Sequence, residues 1–365
     1  MMIYDFAIVG AGIAGASLAA ELGERGVSVL LLEGEDQPGY HATGRSAAFW
    51  DECYGGPDIV PLTLASGNYL QENGFLTQRG ALYIGRDADE SKLVRFMDRF
   101  SGTGAGIERV GEPMLKAHIA SLRNEWTHGI WEPACADIDV SGLHARFLAL
   151  SRATAVDLKC RAGLQAASRA EGVWTLDCGK AGSFRASVLV NAAGAWADGV
   201  AAAAGARPIG IQPLLRTVVQ LRTEPAPASD QPLVLDISGQ FYFKPDGGRL
   251  WLSPHDEEPS KPCDVAPEEL AVATAIHRLE QVVDLRIEAV EKRWAGLRSF
   301  APDRLPVYGF DPFVEGFAWF AGQGGFGIQT SPAAARLAAQ LLLGEPRDKM
   351  TAGLDASKYD PSRFL

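Results

Sequence analysis

Long apolar runs, paired cysteines and an excess of basic charge are all missing from this chain of 365 residues. No uninterrupted apolar stretch reaches the roughly 18 residues that a membrane-crossing helix needs. The start, MMIYDFAIVGAGIAGASLAAEL, is apolar enough to imitate a signal peptide. It has no basic leader, however, and it carries Asp5 and is broken by Gly10, Gly12 and Gly15. A cytoplasmic protein without a transmembrane span is the expectation. The five cysteines, Cys53, Cys135, Cys160, Cys178 and Cys263, form no CxxC pair. That argues for free thiols in a reducing compartment and against a disulfide framework or a zinc site. Six histidines without HxxxH spacing add nothing toward a metal, so none is expected. The net charge of -11 argues against a nucleic-acid partner, because phosphate-backbone binders present basic stripes. What remains is an ordinary globular composition, 47% apolar and 22% charged, at a length that suggests two domains.

The strongest positive signal lies at the start. IYDFAIVG reads as a buried strand, AGIAGASLAAELGERG as a helix ending near Gly26, and VSVLLLEGE as a second buried strand. Between strand and helix, Gly10-Ala11-Gly12-Ile13-Ala14-Gly15 is G-x-G-x-x-G. The first glycine permits a tight turn, the second lets a pyrophosphate approach the backbone, and the third allows close helix-strand packing. The helix N-terminus then faces the phosphates. Glu33 closes the second strand about 20 residues on, where a carboxylate can hold a ribose hydroxyl pair, and this disfavours NADP. NAD and FAD both remain open on this motif.

Strand, glycine loop and helix recur near residue 190 and again near 325. Between them the chain reads as antiparallel material. GFLTQRGALYIGRD suggests a hairpin, and Ser141 is the expected cap of a helix in CADIDVSGLHARFLALSRATA. FYFKPDGGRLWLS suggests a hairpin turning at Pro245-Asp246-Gly247-Gly248, and a helix is expected over 267–284 from Pro267. The fold class is therefore α/β: one nucleotide-binding domain built from separated segments, with a second sheet domain inserted.

The segments HATGRSAA, VLVNAAGAWAD, WAGLRSFAPD and GQGGFGIQTSPAAA, with the FYFKPDGG hairpin, occur in the order known from the D-amino-acid oxidase and glycine oxidase family. The chain resembles that family over nearly its full length, most closely its D-arginine dehydrogenase branch. The resemblance implies a Rossmann-like FAD-binding domain from 1–50, 137–205 and 296–365. A substrate domain with an antiparallel sheet would come from 51–136 and 206–295. It also implies FAD held non-covalently, since no cysteine follows Cys263 where some relatives attach the flavin.

The cofactor residues implied by the match are Gly10, Gly12, Ile13, Ala14, Gly15 and Glu33 with the flavin-facing Thr43, Gly44, Arg45, Ser46, Ala47 and Ala48. Ala193, Gly194 and Trp196 follow. Then come Arg298, Gly324, Gly325, Phe326, Gly327, Ile328, Gln329 and Thr330, where backbone amides at a helix start suit an anionic reduced flavin. On the substrate side, Arg298 matches the arginine that grips the substrate carboxylate, a task a planar guanidinium performs bidentately. Tyr242 matches a tyrosine at the same carboxylate, and Arg216 and Tyr54 match further active-site residues. Two positions depart: Phe49 stands for a histidine, and Gly80 for a glutamate that helps hold a cationic side chain. A buried guanidinium needs a carboxylate, so these changes turn the expectation from arginine toward a neutral or hydrophobic D-amino acid.

The implied reaction is hydride transfer from the substrate Cα to flavin N5, giving an imine that hydrolyses to a 2-oxo acid. Its partners would be a small amino-acid substrate and an electron acceptor, oxygen or a quinone. A 2-hydroxy-acid or secondary-amine oxidoreductase on the same fold is the alternative enzyme reading, and a flavin-binding protein without turnover is the alternative class.

Overall fold

The computed structural model describes residues 2–119 and 121–364. β1 (Ile3–Val9) leads through Gly10 into α1 (Ile13–Glu24) and β2 (Val29–Leu32). β1 pairs in parallel with β2 on one side and with β3 (Ser183–Asn191) on the other. Strand 156–159 extends the parallel set beyond β2. β2 and the C-terminal halves of β1 and β3 are buried runs because helices cover both faces, whereas strand 156–159 at the margin alternates half-buried and exposed. The close approach of α1 to β1 follows from Gly15, where a Cβ would lie 1.8 Å from the Gly10 carbonyl oxygen.

The second sheet has nine strands. Near one edge runs β4 (Gln212–Glu224), and the hairpin β5 (Tyr242–Asp246) and β6 (Arg249–Ser253) lies beside it. Along its whole length β4 pairs antiparallel with β7 (Arg286–Phe300). The chain then returns to the first sheet through β8 (Phe317–Ala321), parallel to β3, and ends in α2 (Gly327–Leu343). A left-handed Gly344 (φ 67°) stops α2, the usual helix C-terminal device. The three strand–glycine–helix units thus meet at one end of one parallel sheet, as the spacing suggested. No helix among the described residues is long and apolar enough to cross a membrane.

Four local expectations are corrected. The expected hairpin over 75–86 does not form: Leu76–Gln78 pairs with Ala136–Ile138 in a small separate sheet, and Ala81–Gly85 joins the nine-stranded one. Alternation within each strand was legible, but the partner is chosen by packing far along the chain. The helix 140–152 is capped by Asp139, which accepts from the Gly142 amide, and Ser141 lies inside it. A carboxylate two residues earlier outcompetes the serine for the same orphan amides. Pro245 and Asp246 belong to β5, so the hairpin turns on Gly247 and Gly248 alone, both with positive φ. The expected 267–284 helix is shorter, Glu269–Glu280.

Candidate active site

A cavity of about 610 Å³ opens where β1, β3 and α2 converge. Gly10 has φ +101°, and a Cβ there would stand 2.5 Å from the Ala192 carbonyl oxygen, so only glycine lets the β1 and β3 ends close this wall. The N-cap Gly12 has no side chain to cap α1, and the Thr43 hydroxyl accepts from the Ile13 amide at 2.9 Å, leaving the following amides of the first turn for a ligand. Glu33 is held by two backbone amides, Ala11 at 3.0 Å and Glu35 at 3.0 Å, which aim its carboxylate along the cavity. These features fit a dinucleotide with an unphosphorylated ribose.

Most of the anticipated cofactor residues line this cavity. Gly10, Gly12, Ile13, Ala14 and Glu33 do so at one end, and Thr43, Arg45, Ser46 and Ala47 along one side. Ala193, Gly194 and Trp196 form the opposite side, and Arg298, Gly324, Gly325, Gly327 and Ile328 the far end. Six lie elsewhere. Gly15 packs on Gly10, and Gly44 sits 2.8 Å (as a Cβ) from the Gly39 carbonyl oxygen. Ala48 turns the chain at φ 58°. Phe326 is buried among Ile59, Leu214 and Phe300. Gln329 bonds the Asp51 backbone and Thr63, and Thr330 bonds back to Phe326. Arg45 lines the cavity, but its guanidinium is engaged by Asp264 and the carbonyls of Val265 and Ala295.

At the far end the two arginines come together through strand register. Arg298 on β7 faces Leu214 on β4, and Arg216 on β4 faces Gly296 on β7. They are diagonal neighbours on one face, and Gly296 leaves room between them. Arg298 makes no ion pair or hydrogen bond among the described residues, and its guanidinium lies 5.5 Å from the Tyr54 ring centroid. Arg216 is only 4% exposed, and its Nε and Nη1 have no partner. Its Nη2 donates to Glu257 at 3.2 Å, and Asp256 stands at 3.9 Å. Burial, with the nearby Arg298 charge, lowers the Arg216 pKa to about 10. The Tyr242 hydroxyl is also buried without a partner. These three side chains all border the cavity and together form an anion station, in which Arg298, the Arg216 Nε and Nη1 and the Tyr242 hydroxyl have no hydrogen-bond partner among the described residues.

Tyr54 and Phe49 complete the cluster. The Phe49 ring is 5.6 Å from Tyr54 and 5.5 Å from Tyr242, edge to face. Phe49 packs against both tyrosines, outside the residues that line the 610 Å³ cavity. Tyr54 fills the space over Gly325, where a Cβ would meet its hydroxyl at 1.9 Å. Burial pushes the Tyr54 hydroxyl pKa up. Gly80 is away from the site: it is buried at φ +79° with the Trp131 ring 2.0 Å from a Cβ position. A Cβ there would run into the Trp131 ring.

Sequence reading missed the segment His255-Asp256-Glu257, which follows β6 and reaches the site. Asp256 accepts from the Thr217 amide and hydroxyl, Glu257 holds Arg216 and Arg304, and the His255 ring stands 5.7 Å from Tyr242. Three titratable residues directly after a hairpin were the available signal. His144 was missed too; it supports the glycine loop through its Nε2 and the Ala11 carbonyl at 2.9 Å.

Known proteins bear on this geometry. A family model described as FAD dependent oxidoreductase, DAO, matches residues 5–341. Hydrogen cyanide synthase subunit HcnC of Pseudomonas aeruginosa is 25% identical over 417 aligned positions, covering 99% of this chain and 96% of that protein. FAD-dependent oxidoreductase domain-containing protein 1 of Mus musculus is 27% identical over 173 residues, and this chain spans only 36% of its length. The solved L-proline dehydrogenase of P. horikoshii superposes with a TM-score of 0.86 at 22% identity, covering 99% of this chain and 98% of that one. With a dinucleotide cradle at one end of the cavity and a family match across most of its length, the chain belongs to the DAO family of FAD-dependent oxidoreductases, with FAD as its non-covalently held cofactor.

Proposed function

We propose that the protein oxidises a D-amino acid with a neutral or hydrophobic side chain to the imine, and so to the 2-oxo acid. The observation that carries this reading is the anion station of Arg298, Arg216 and the Tyr242 hydroxyl, unsatisfied and bordering the cofactor cavity. A substrate α-carboxylate is the group that completes it. Arg298 and Tyr242 would fix the carboxylate, and Arg216, tethered by Glu257, would hold it from the second side. Tyr54, packed on Gly325 at the far end of the cavity and backed by Phe49, would exclude water around the Cα. Positioning of this kind supplies much of a rate enhancement. Bound FAD supplies the hydride acceptor. The cofactor contacts proposed are the cavity-lining residues described above, and the two-domain division proposed is that of segments 1–50, 137–205 and 296–365 against the rest.

Charge supports the side-chain preference. Asp256 and Glu257 face Arg216, and Glu257 also pairs with Arg304, while Arg298 pairs with no acid among the described residues, leaving one positive charge for one carboxylate. A cationic side chain would find both acids already occupied, which separates this chain's preference from that of the D-arginine dehydrogenase branch it resembles. A secondary amine is the second reading, favoured by the fold-level likeness to L-proline dehydrogenase. An anaerobic panel of D- and L-amino acids, N-methyl amino acids and 2-hydroxy acids, followed by flavin bleaching, tests these readings. Fast bleaching by uncharged D-amino acids is expected; preference for D-arginine, or for a hydroxy acid, overturns the reading.

A further inference from the structure

A second cavity, of about 410 Å³, adjoins the first. Tyr54, Phe326 and Glu257 face it, while Arg216, the partner of Glu257, faces the first cavity. The two linings share no residue and touch through Tyr54, which packs on Gly325 and under Arg298, and through the Arg216–Glu257 pair. The wall of the second cavity carries the rings of Tyr54, Tyr83, Phe96, Phe100, Phe300 and Phe326. A single glycine-sized substrate leaves all of this space unused.

The polar groups in the second cavity are uneven in kind. Two carboxylates reach it and both are engaged. Asp236 accepts from the backbone amide of Gln240 at 3.1 Å, and Glu257 accepts from Arg216 and from Arg304. The groups left over can donate. Arg99 makes no ion pair or hydrogen bond among the described residues and lies over Gly56, 2.7 Å from a Cβ position. The His255 ring has no hydrogen-bond partner among the described residues. Its backbone is held at φ +56°, a conformation costly for a residue with a Cβ and one that persists where surroundings impose it. Here the imposing bonds are those of its neighbours Asp256 and Glu257 to Thr217 and Arg216.

We propose that, with the Tyr54 ring turned aside, the second cavity receives a long arm of the substrate, with an apolar or aromatic body and a hydrogen-bond acceptor at its end, met by Arg99 and His255. The inference rests on the reading that Arg298 and Tyr242 hold the amino-acid carboxylate. An arm carried on Cα and one carried on the amine nitrogen present the same chemistry to these walls. An arm ending in an ammonium or guanidinium meets no free carboxylate.

The test compares saturation of anaerobic flavin bleaching by D-alanine, D-norleucine, D-tyrosine, D-lysine and N-(4-hydroxybenzyl)glycine. D-tyrosine is expected to saturate at a concentration roughly tenfold lower than D-alanine, and D-lysine to gain nothing from its length. The N-substituted glycine surpassing D-tyrosine would place the arm on nitrogen and still support the compartment. Arg99→Ala, an exposed change that spares the core, should shrink the D-tyrosine to D-alanine ratio about tenfold. A second readout needs no turnover: perturbation of the holoenzyme's flavin spectrum by 4-hydroxyphenylacetate and by acetate. Tighter binding of 4-hydroxyphenylacetate, lost in Arg99→Ala, supports the compartment even if no amino acid bleaches the flavin, in which case the reaction assignment alone fails. Equal saturation by D-alanine and D-tyrosine, with 4-hydroxyphenylacetate bound no better than acetate, overturns it.

Discussion

Arg298 and Arg216 differ in what holds them, and that difference predicts how each responds to loss. Arg298 is open to its ligand, so Arg298→Met should raise the half-saturating substrate concentration about a hundredfold while the protein stays folded. Unchanged saturation would remove it from the site. Behind Tyr54 a different residue-scale device appears. The buried carboxyl groups of Asp51 and Glu132 lie within 4.8 Å of each other and of Cys53. Asp51 accepts from the Tyr83 hydroxyl at 2.6 Å, and Glu132 accepts from the Glu52 amide at 2.7 Å. Burial, then the neighbouring Asp51 charge, holds the Glu132 pKa well above the carboxylate range. A folded pKa raised above the unfolded value, about 4.3, contributes stability only below that value and loses it as pH climbs toward the folded pKa. Glu132→Gln keeps the hydrogen bonds without the ionisation. Its melting temperature should therefore gain on the parent protein as pH rises from 5 to 8, by on the order of 2 °C. A difference independent of pH would show that Glu132 does not titrate in this way.

At the scale of elements, one contact that a single methyl would break and one helix cap carry predictions. The turn from β1 into α1 is closed by Gly10 against Ala192. Gly10→Ala adds a Cβ 2.5 Å from a carbonyl oxygen at φ +101°, so the β1 and β3 ends must part. The expected result is protein that folds but binds FAD at least tenfold more weakly, read from the ratio of flavin to protein absorbance. The helix cap at Asp139 makes a milder prediction. Asp139→Ala should cost about 1 kcal/mol in denaturant unfolding, whereas Ser141→Ala should cost little. The reverse order would restore Ser141 as the cap.

At the scale of the whole molecule, the segments facing the cavity are tied to the nine-stranded sheet by buried and half-buried charges. Lys244 on β5 donates to Asp137 at 2.6 Å and to the Ala48 carbonyl at 3.2 Å, which pins the 43–50 stretch against the hairpin. Asp264 reaches across from the loop before the 269–280 helix to Arg45, and to the Tyr40 hydroxyl at 3.1 Å. Arg45 holds the Asp264 carboxyl below its usual range. An exposed pair of this kind contributes little to global stability. It does act as a strap between two segments that line the cavity, one at 39–47 and one at 263–265. Asp264→Asn should therefore speed FAD release several-fold, measured as recovery of flavin fluorescence on dilution, with the melting temperature nearly unmoved. Equal release rates would leave the strap without a role in retention.

The G-x-G-x-x-G turn, the parallel apolar strands and the alternation of β5 and β6 were legible in the sequence because each rests on neighbours within about thirty residues. A glycine that permits a turn, a run buried on both faces and a two-residue turn are local properties. What tertiary structure alone decided is who meets whom. The pairing that sets Arg216 diagonal to Arg298 joins residues 82 apart, and it makes an anion station from two arginines that the sequence shows only singly. The same applies to Leu76–Gln78, whose partner strand lies across the small sheet, and to Gly80, whose contact is Trp131 and not the site. His255-Asp256-Glu257 carries no motif; its meaning comes from the second cavity, the free Arg99 and the tethered Arg216 around it. Chemistry that depends on one residue and its neighbours is written in the chain, and chemistry that depends on charge balance in an enclosed space is settled only when distant strands close it.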